Sequence, residues 1–239
     1  MKNSPLYSKR FASLFRRIKA EHRKDPPEPA TPVAQLVIAF LEWNASRRAS
    51  RTAYRRLIEN MVDHNELRVC HPHEVIELIG PDYPLAEHRA QRMLESLRSI
   101  FLREQAVTLD MLARRGKKDV RVYLDGLHGM APYVAAQITL LCFGGHAVPV
   151  DDQLADLLRA AQVVDPEATL AEIEAFLERQ VKADKAAETH ATLMAWVDAG
   201  ARRVTTGASG TVASRTPRKK TTTRITNKHK NVDTKDSKK

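Results

Sequence analysis

Two cysteines, Cys70 and Cys142, are all the thiol this 239-residue chain carries. That excludes a framework of several disulfides and a four-thiolate iron–sulfur site, and nothing in the chain points to an oxidising compartment. Long apolar runs are also missing. The longest, residues 134–143, is about half of the roughly 20 residues that cross a bilayer. No apolar segment follows the charged N-terminus, so neither a membrane span nor a secretory signal is expected. A cytoplasmic setting follows as the expectation. Aromatic residues are sparse at 5 %, yet 43 % of the residues are hydrophobic, enough for the core of one large domain or two small ones.

The net charge of +10 is unevenly spread. Residues 1–24 sum to +7, residues 25–201 to −7 and residues 202–239 to +10. Two basic arms on a mildly acidic body fit a protein that binds a polyanion, because Lys and Arg placed near phosphates release condensed counterions. Charge alone does not separate DNA from RNA, and a tail that serves solubility is the plainer alternative. From about Val204 the chain is rich in Thr, Ser, Lys and Arg and nearly free of large apolar residues. Such a segment buries too little surface to offset the entropy of ordering, so a disordered basic tail is expected over residues 204–239.

Within the body, apolar residues recur at the helical period, and no alternating strand pattern competes. Tyr7, Phe11, Leu14, Phe15 and Ile18 form one stripe, and Val33, Leu36, Val37, Phe40 and Leu41 another after the Pro26-Pro27 break. Further stripes run through Tyr54, Leu57, Ile58 and Met61, through Met93, Leu94, Leu97, Ile100 and Phe101, and through Leu154, Leu157 and Leu158. Leu170, Ile173, Phe176 and Leu177 continue the pattern, and Leu193, Met194, Trp196 and Val197 close it. The fold class is therefore all-α. The basic N-terminal stripe reads as a first helix docked by its aromatic face rather than as a transit peptide or a membrane-surface helix.

Residues 124–158 are the most informative stretch. Leu127-His128-Gly129-Met130-Ala131 reads as a tight turn between a short helix ending near Gly126 and an apolar helix opening at Pro132, a residue suited to the first helical turn. Free N–H groups at a helix N-terminus hold phosphate oxygens, and small residues at 129 and 131 are expected to let a nucleic-acid backbone approach closely. Such contacts position a duplex without reading its bases. Asp151 stands before the helix expected over residues 152–161, where an aspartate commonly serves as a cap alone. Cys70-His71-Pro72-His73 lacks the paired spacing of a zinc site and reads as a turn entering the next helix. No metal or other cofactor is expected.

This arrangement resembles the helix-hairpin-helix DNA glycosylases of the endonuclease III superfamily. Their hairpin runs leucine, proline, glycine, hydrophobic, glycine, then a helix, then a valine–aspartate pair. Leu127 to Ala131, the helix from Pro132 and Val150-Asp151 stand in those places. The resemblance extends over roughly residues 5–203, with its specific part in the centre. It implies two helical lobes with a cleft between them: residues 25–145 as a barrel lobe containing the hairpin, and residues 1–24 with 146–203 as the second lobe. It also implies a monomer that binds double-stranded DNA at the nucleoid. Leu127, His128, Gly129, Met130, Ala131 and Val134 would hold the phosphate, with Arg47 and Arg48 as further contacts, Tyr133 and Asn44 would line the base pocket, and Asp151 would face the sugar.

The chain departs from the family pattern at several positions. The lysine with which some members form a Schiff base is replaced by Tyr133, so no strand-cleaving step is expected. The hairpin's second glycine is Ala131, a frequent histidine is Gln153, an arginine is Asp156, and the glutamine that some members insert into the duplex corresponds to Asn44. No cysteine follows Cys142, so the iron–sulfur loop is missing. The resemblance thus implies a monofunctional, Asp-assisted base-excision glycosylase. The alternatives are a non-catalytic DNA-binding descendant and a scaffold that binds RNA or protein through its arms.

Overall fold

The computed structural model describes residues 4–207. Eleven α-helices and no strand occur among the described residues. In chain order they are α1 (Ser4–His22), α2 (Pro32–Glu42), α3 (Arg47–Asn60), α4 (His64–Val69), α5 (Pro72–Ile79), α6 (Ala86–Glu104), α7 (Lys117–Asp125), α8 (Pro132–Leu141), α9 (Asp152–Ala160), α10 (Leu170–Gln180) and α11 (Ala186–Gly207). The last helix runs past Val204, where the tail was expected to begin. The remainder of that tail lies outside the described residues.

Local signals set many of the helix ends. Proline opens α2, α5 and α8 at the position where a missing N–H costs nothing. Ser46, Asp63, Asp151 and Thr169 each accept a hydrogen bond from the backbone N–H three residues on. Between α6 and α7 a short 3-10 helix runs over Asp110–Arg114. The turn at Cys70-His71 leads into α5 through Pro72, and α4 had no signature of its own in the apolar pattern.

The buried apolar residues form two clusters. One gathers α2 to α8, with Phe40, Leu94, Leu97 and Ile100 at its centre. The other gathers α1 and α9 to α11 around Phe11, Leu154, Ile173 and Phe176. Phe11 meets the Phe176 ring edge-on, with centroids 6.1 Å apart, which fixes α1 against the body. Helix α8 belongs to both clusters: Tyr133, Val134 and Ile138 face the first, Ala136 and Leu140 the second. A helix buried on every side carries an apolar sequence throughout, and residues 133–140 are all buried. Arg121 on α7 ties the two parts together through Glu174 on α10 (3.0 Å), and Arg47 on α3 approaches Asp198 on α11 (3.7 Å).

Candidate active site

The turn at residues 126–131 lies along one stripe of α6. Arg92, Ser96, Ser99 and Arg103 recur at helical spacing and bind the turn group by group. Arg92 donates to the carbonyls of Gly129 (2.8 Å) and Met130, Ser96 to the carbonyl of His128 (3.1 Å), and Arg103 to that of Gly126. Ser99 accepts the His128 N–H (3.1 Å). With the carbonyls held against α6, the N-terminus of α8 follows directly, where Ala131 supplies no side-chain cap and Tyr133 and Val134 are themselves buried. That end favours an anion.

The turn corrects two expectations. Gly129 has φ +76°, and a Cβ there would come within 2.5 Å of the Arg92 carbonyl oxygen and 2.6 Å of the Glu95 Cβ. Its smallness is demanded by α6 behind it, not by an open approach in front. Ala131 is extended, with φ −91°, so alanine is at ease where the family has glycine, and its side chain is fully buried. The side chains of Leu127, Met130 and Val134 are buried as well, so any contact made there comes from the backbone. His128 projects into solvent beside Glu95.

Asp151 caps α9 and is 1 % exposed. Its Oδ1 accepts from Leu154 N (2.9 Å) and its Oδ2 from Asn44 N (3.1 Å). Asn44 sits in the left-handed region at φ 53°, a conformation Asn tolerates better than most residues. Its side chain pairs reciprocally with Asp152: Nδ2 donates to Oδ2 (2.7 Å) and Oδ1 accepts from Asp152 N (3.0 Å). Asn44 therefore covers Asp151 as a latch. Burial raises the Asp151 pKa against the pull of these N–H groups. Arg89, fully buried, holds the latch segment by donating to the carbonyls of Trp43 and Pro84, and burial lowers its pKa to about 10.

Tyr133 is buried beneath this segment, its hydroxyl 3.8 Å from the Met194 sulfur, and the carboxylates of Glu42 and Asp151 both add to the rise in its pKa that burial begins. Beyond it lies a cavity of about 190 Å³ lined by α2, α3, α8, α11 and the segment before α2. Arg47 does not stand free for a ligand, since its guanidinium donates to the Ala191 carbonyl (2.7 Å). Arg48 is exposed. Asp156, an acid near the expected duplex, pairs with Arg159 (2.9 Å).

No protein-family model matches the sequence, and no curated protein sequence does. Solved structures do match in shape. A non-covalent endonuclease III–DNA complex superposes with a TM-score of 0.61 over 78 % of this chain and 84 % of the other, at 14 % identity. A thermostable thymine-DNA glycosylase gives 0.57 at 17 % identity, covering 81 % and 87 %. The H. pylori 3-methyladenine DNA glycosylase bound to 1,N6-ethenoadenine gives 0.58 at 15 % identity, covering 84 % and 98 %.

The fold is that of the helix-hairpin-helix DNA glycosylases.

On this glycosylase fold the structure brings Asn44 to Asp151, but sets Tyr133 behind them and leaves Arg48 on the exposed side of α3. Sequence reading missed Glu42, Gln137 and His190, which meet in the cavity. Gln137 had a signal, as a polar side chain inside the apolar run of α8. His190 had none, because one histidine in an amphipathic helix is unremarkable. Among the described residues no cluster of three or more His, Cys, Asp or Glu is placed to hold a metal, and no helix is long and apolar enough to cross a membrane.

Proposed function

We propose that this chain is a base-excision DNA glycosylase that binds double-stranded DNA as a monomer and removes a damaged or mismatched base by hydrolysis. The observation that carries this reading is Asp151 beside Asn44 at the junction of the two clusters, on a fold shared with solved DNA glycosylases. Phosphate binds where the hairpin turn meets the N-terminus of α8, held by backbone N–H groups. The target nucleotide swings out of the duplex, and the Asn44 latch gives way as the strand enters. Asp151 then faces the sugar, where its carboxylate favours the oxocarbenium-like transition state and orients water. Tyr133 has no amine, so the reaction stops at the abasic site. The setting is the cytoplasm, at the nucleoid.

The test is excision from duplexes carrying uracil, mismatched thymine or adenine, oxidised bases and alkylated bases, scored after alkali, with Asp151→Asn beside the wild type. Base loss that falls by roughly 100-fold or more in the variant, with duplex affinity retained, establishes Asp151 as catalytic. Duplex binding without base loss on any substrate overturns the hydrolase and leaves a non-catalytic DNA-binding protein.

A further inference from the structure

Helix α3 carries five arginines in its 14 residues, and two of them open it. That is the end where the aligned peptide dipoles favour acids, and no acid stands there. Arg47, Arg89, Arg92, Arg98 and Arg103 donate to backbone carbonyls and so hold the fold together. Arg51 and Arg55 do not. Both are exposed, and neither hydrogen-bonds nor forms an ion pair with a described residue; Arg51 acts on Glu42 through its charge alone. Four positions apart on one helix face, the two guanidinium groups repel each other. An arrangement that weakens its own helix is kept where something outside the helix meets it.

The same face ends in apolar surface. Ile58 lies within roughly 60° of Arg51 and Arg55 around the helix axis. It is 51 % exposed, and Val62, just past the end of α3, is 92 % exposed. Both stand on a pocket of about 120 Å³ walled by Val37, Leu57, Met61 and Leu67. A cavity of roughly 150 Å³ takes a benzene ring, so this one takes a single branched aliphatic side chain. The acids Glu59 and Asp63, next in sequence to Ile58 and Val62, are exposed as well. The face is therefore positive at one end and apolar with carboxylates at the other. A nucleic-acid strand laid along it would press phosphates onto those aliphatic and acidic side chains. The chain's own C-terminal segment, +10 over residues 202–239, would be repelled by the arginines.

We infer that this face of α3 docks an acidic peptide segment of a partner protein, whose carboxylates meet Arg51 and Arg55 and whose leucine- or isoleucine-sized side chain fills the pocket beside Ile58 and Val62. The charges fix its direction, acids toward the start of α3 and anchor toward α4. From Arg51 to Ile58 the helix rises by about 10 Å. An extended peptide covers that in about three residues, which sets the spacing between acid and anchor. The anchor supplies affinity by taking exposed aliphatic surface out of water, while the arginines steer the encounter and select the partner. Ile58 lies about 16 Å along α3 from Arg47, so the peptide sits beside a bound duplex and not in its place. The inference is independent of the glycosylase reading, because no step of base excision enters it.

The test titrates the full chain into two fluorescein-labelled peptides, Asp-Asp-Glu-Ser-Gly-Leu-Ser and its reverse, followed by fluorescence anisotropy. Binding of at least one is expected, weakened roughly 10-fold when its leucine becomes serine and roughly 5-fold or more by Arg55→Glu. Val62→Asp should weaken it roughly 10-fold. Both substituted side chains are exposed, so urea midpoints should not move; if one does, Ile58→Ser takes its place. Binding that persists with an unlabelled DNA duplex present supports a site apart from the duplex. No binding of either peptide, or binding unchanged in the variants, overturns the inference. Displacement of the peptide by single-stranded or duplex DNA assigns the face to nucleic acid and overturns it too. So does self-association of the chain, seen in sedimentation velocity and abolished by Val62→Asp, because the occupant is then a second copy.

Discussion

The hairpin and the cavity are built on opposite principles. At the hairpin the carbonyls of Gly126, His128, Gly129 and Met130 each meet a side chain of α6, and the result is a turn that cannot shift without breaking several hydrogen bonds at once. In the cavity Gln137 Oε1 and His190 Nδ1 are buried and unanswered. Saturated polar groups stabilise a shape and hold it; buried unsatisfied ones cost stability. Substitutions at the first region are thus expected to cost far more stability than substitutions at the second.

The largest effect is expected at Gly129. Gly129→Val places a branched side chain where φ is +76° and the Arg92 carbonyl leaves no room for a Cβ. A loss of about 3 kcal/mol or more should appear in urea denaturation, with duplex binding falling alongside. Next comes Arg92→Met, which strips the donor from two turn carbonyls and should cost about 2 kcal/mol by the same measurement. An unmoved urea midpoint would mean that the backbone turn holds itself.

A smaller effect, of different sign, is expected in the cavity. His190→Phe removes an unpartnered buried polar atom, and its stability at pH 7 should lie within about 1 kcal/mol of wild type or above it. The pH dependence sharpens this. The folded-state pKa of His190 is lowered to about 3 from 6.5, so the unfolded chain binds the proton more readily in that window. The stability linked to the neutral ring is fully present above pH 6.5 and is lost as pH falls from there toward about 3. Urea midpoints at pH 7 and pH 4.5 should therefore differ less in the variant than in wild type. The smallest effect belongs to Arg48→Ala, at an exposed side chain. Folding should change by less than about 0.5 kcal/mol, while duplex binding weakens severalfold and the slope of its salt dependence drops by about 1.

What was legible in the sequence was local. The period of the apolar residues fixed the helices because one face of each must be buried, and Pro132 and Asp151 marked helix starts because of what a first turn lacks and needs. The position of Gly129 in the turn was legible too, though not its reason, since the Arg92 carbonyl that forbids a side chain comes from a helix far upstream. Asn44 was singled out, but its reciprocal pairing with Asp152 across 108 positions was not.

By itself, the sequence determined the all-α class, the basic arms, the hairpin and the capping aspartate, because each depends on residues a few positions apart. The tertiary structure alone decided that Gln137 would meet Glu42 across 95 positions, that Arg89 would be buried whole to hold the Asn44 latch, and that a cavity would open above His190. Those outcomes depend on how helices pack. A side chain's neighbours across an interface follow from the crossing of two helices, and no short-range period records them.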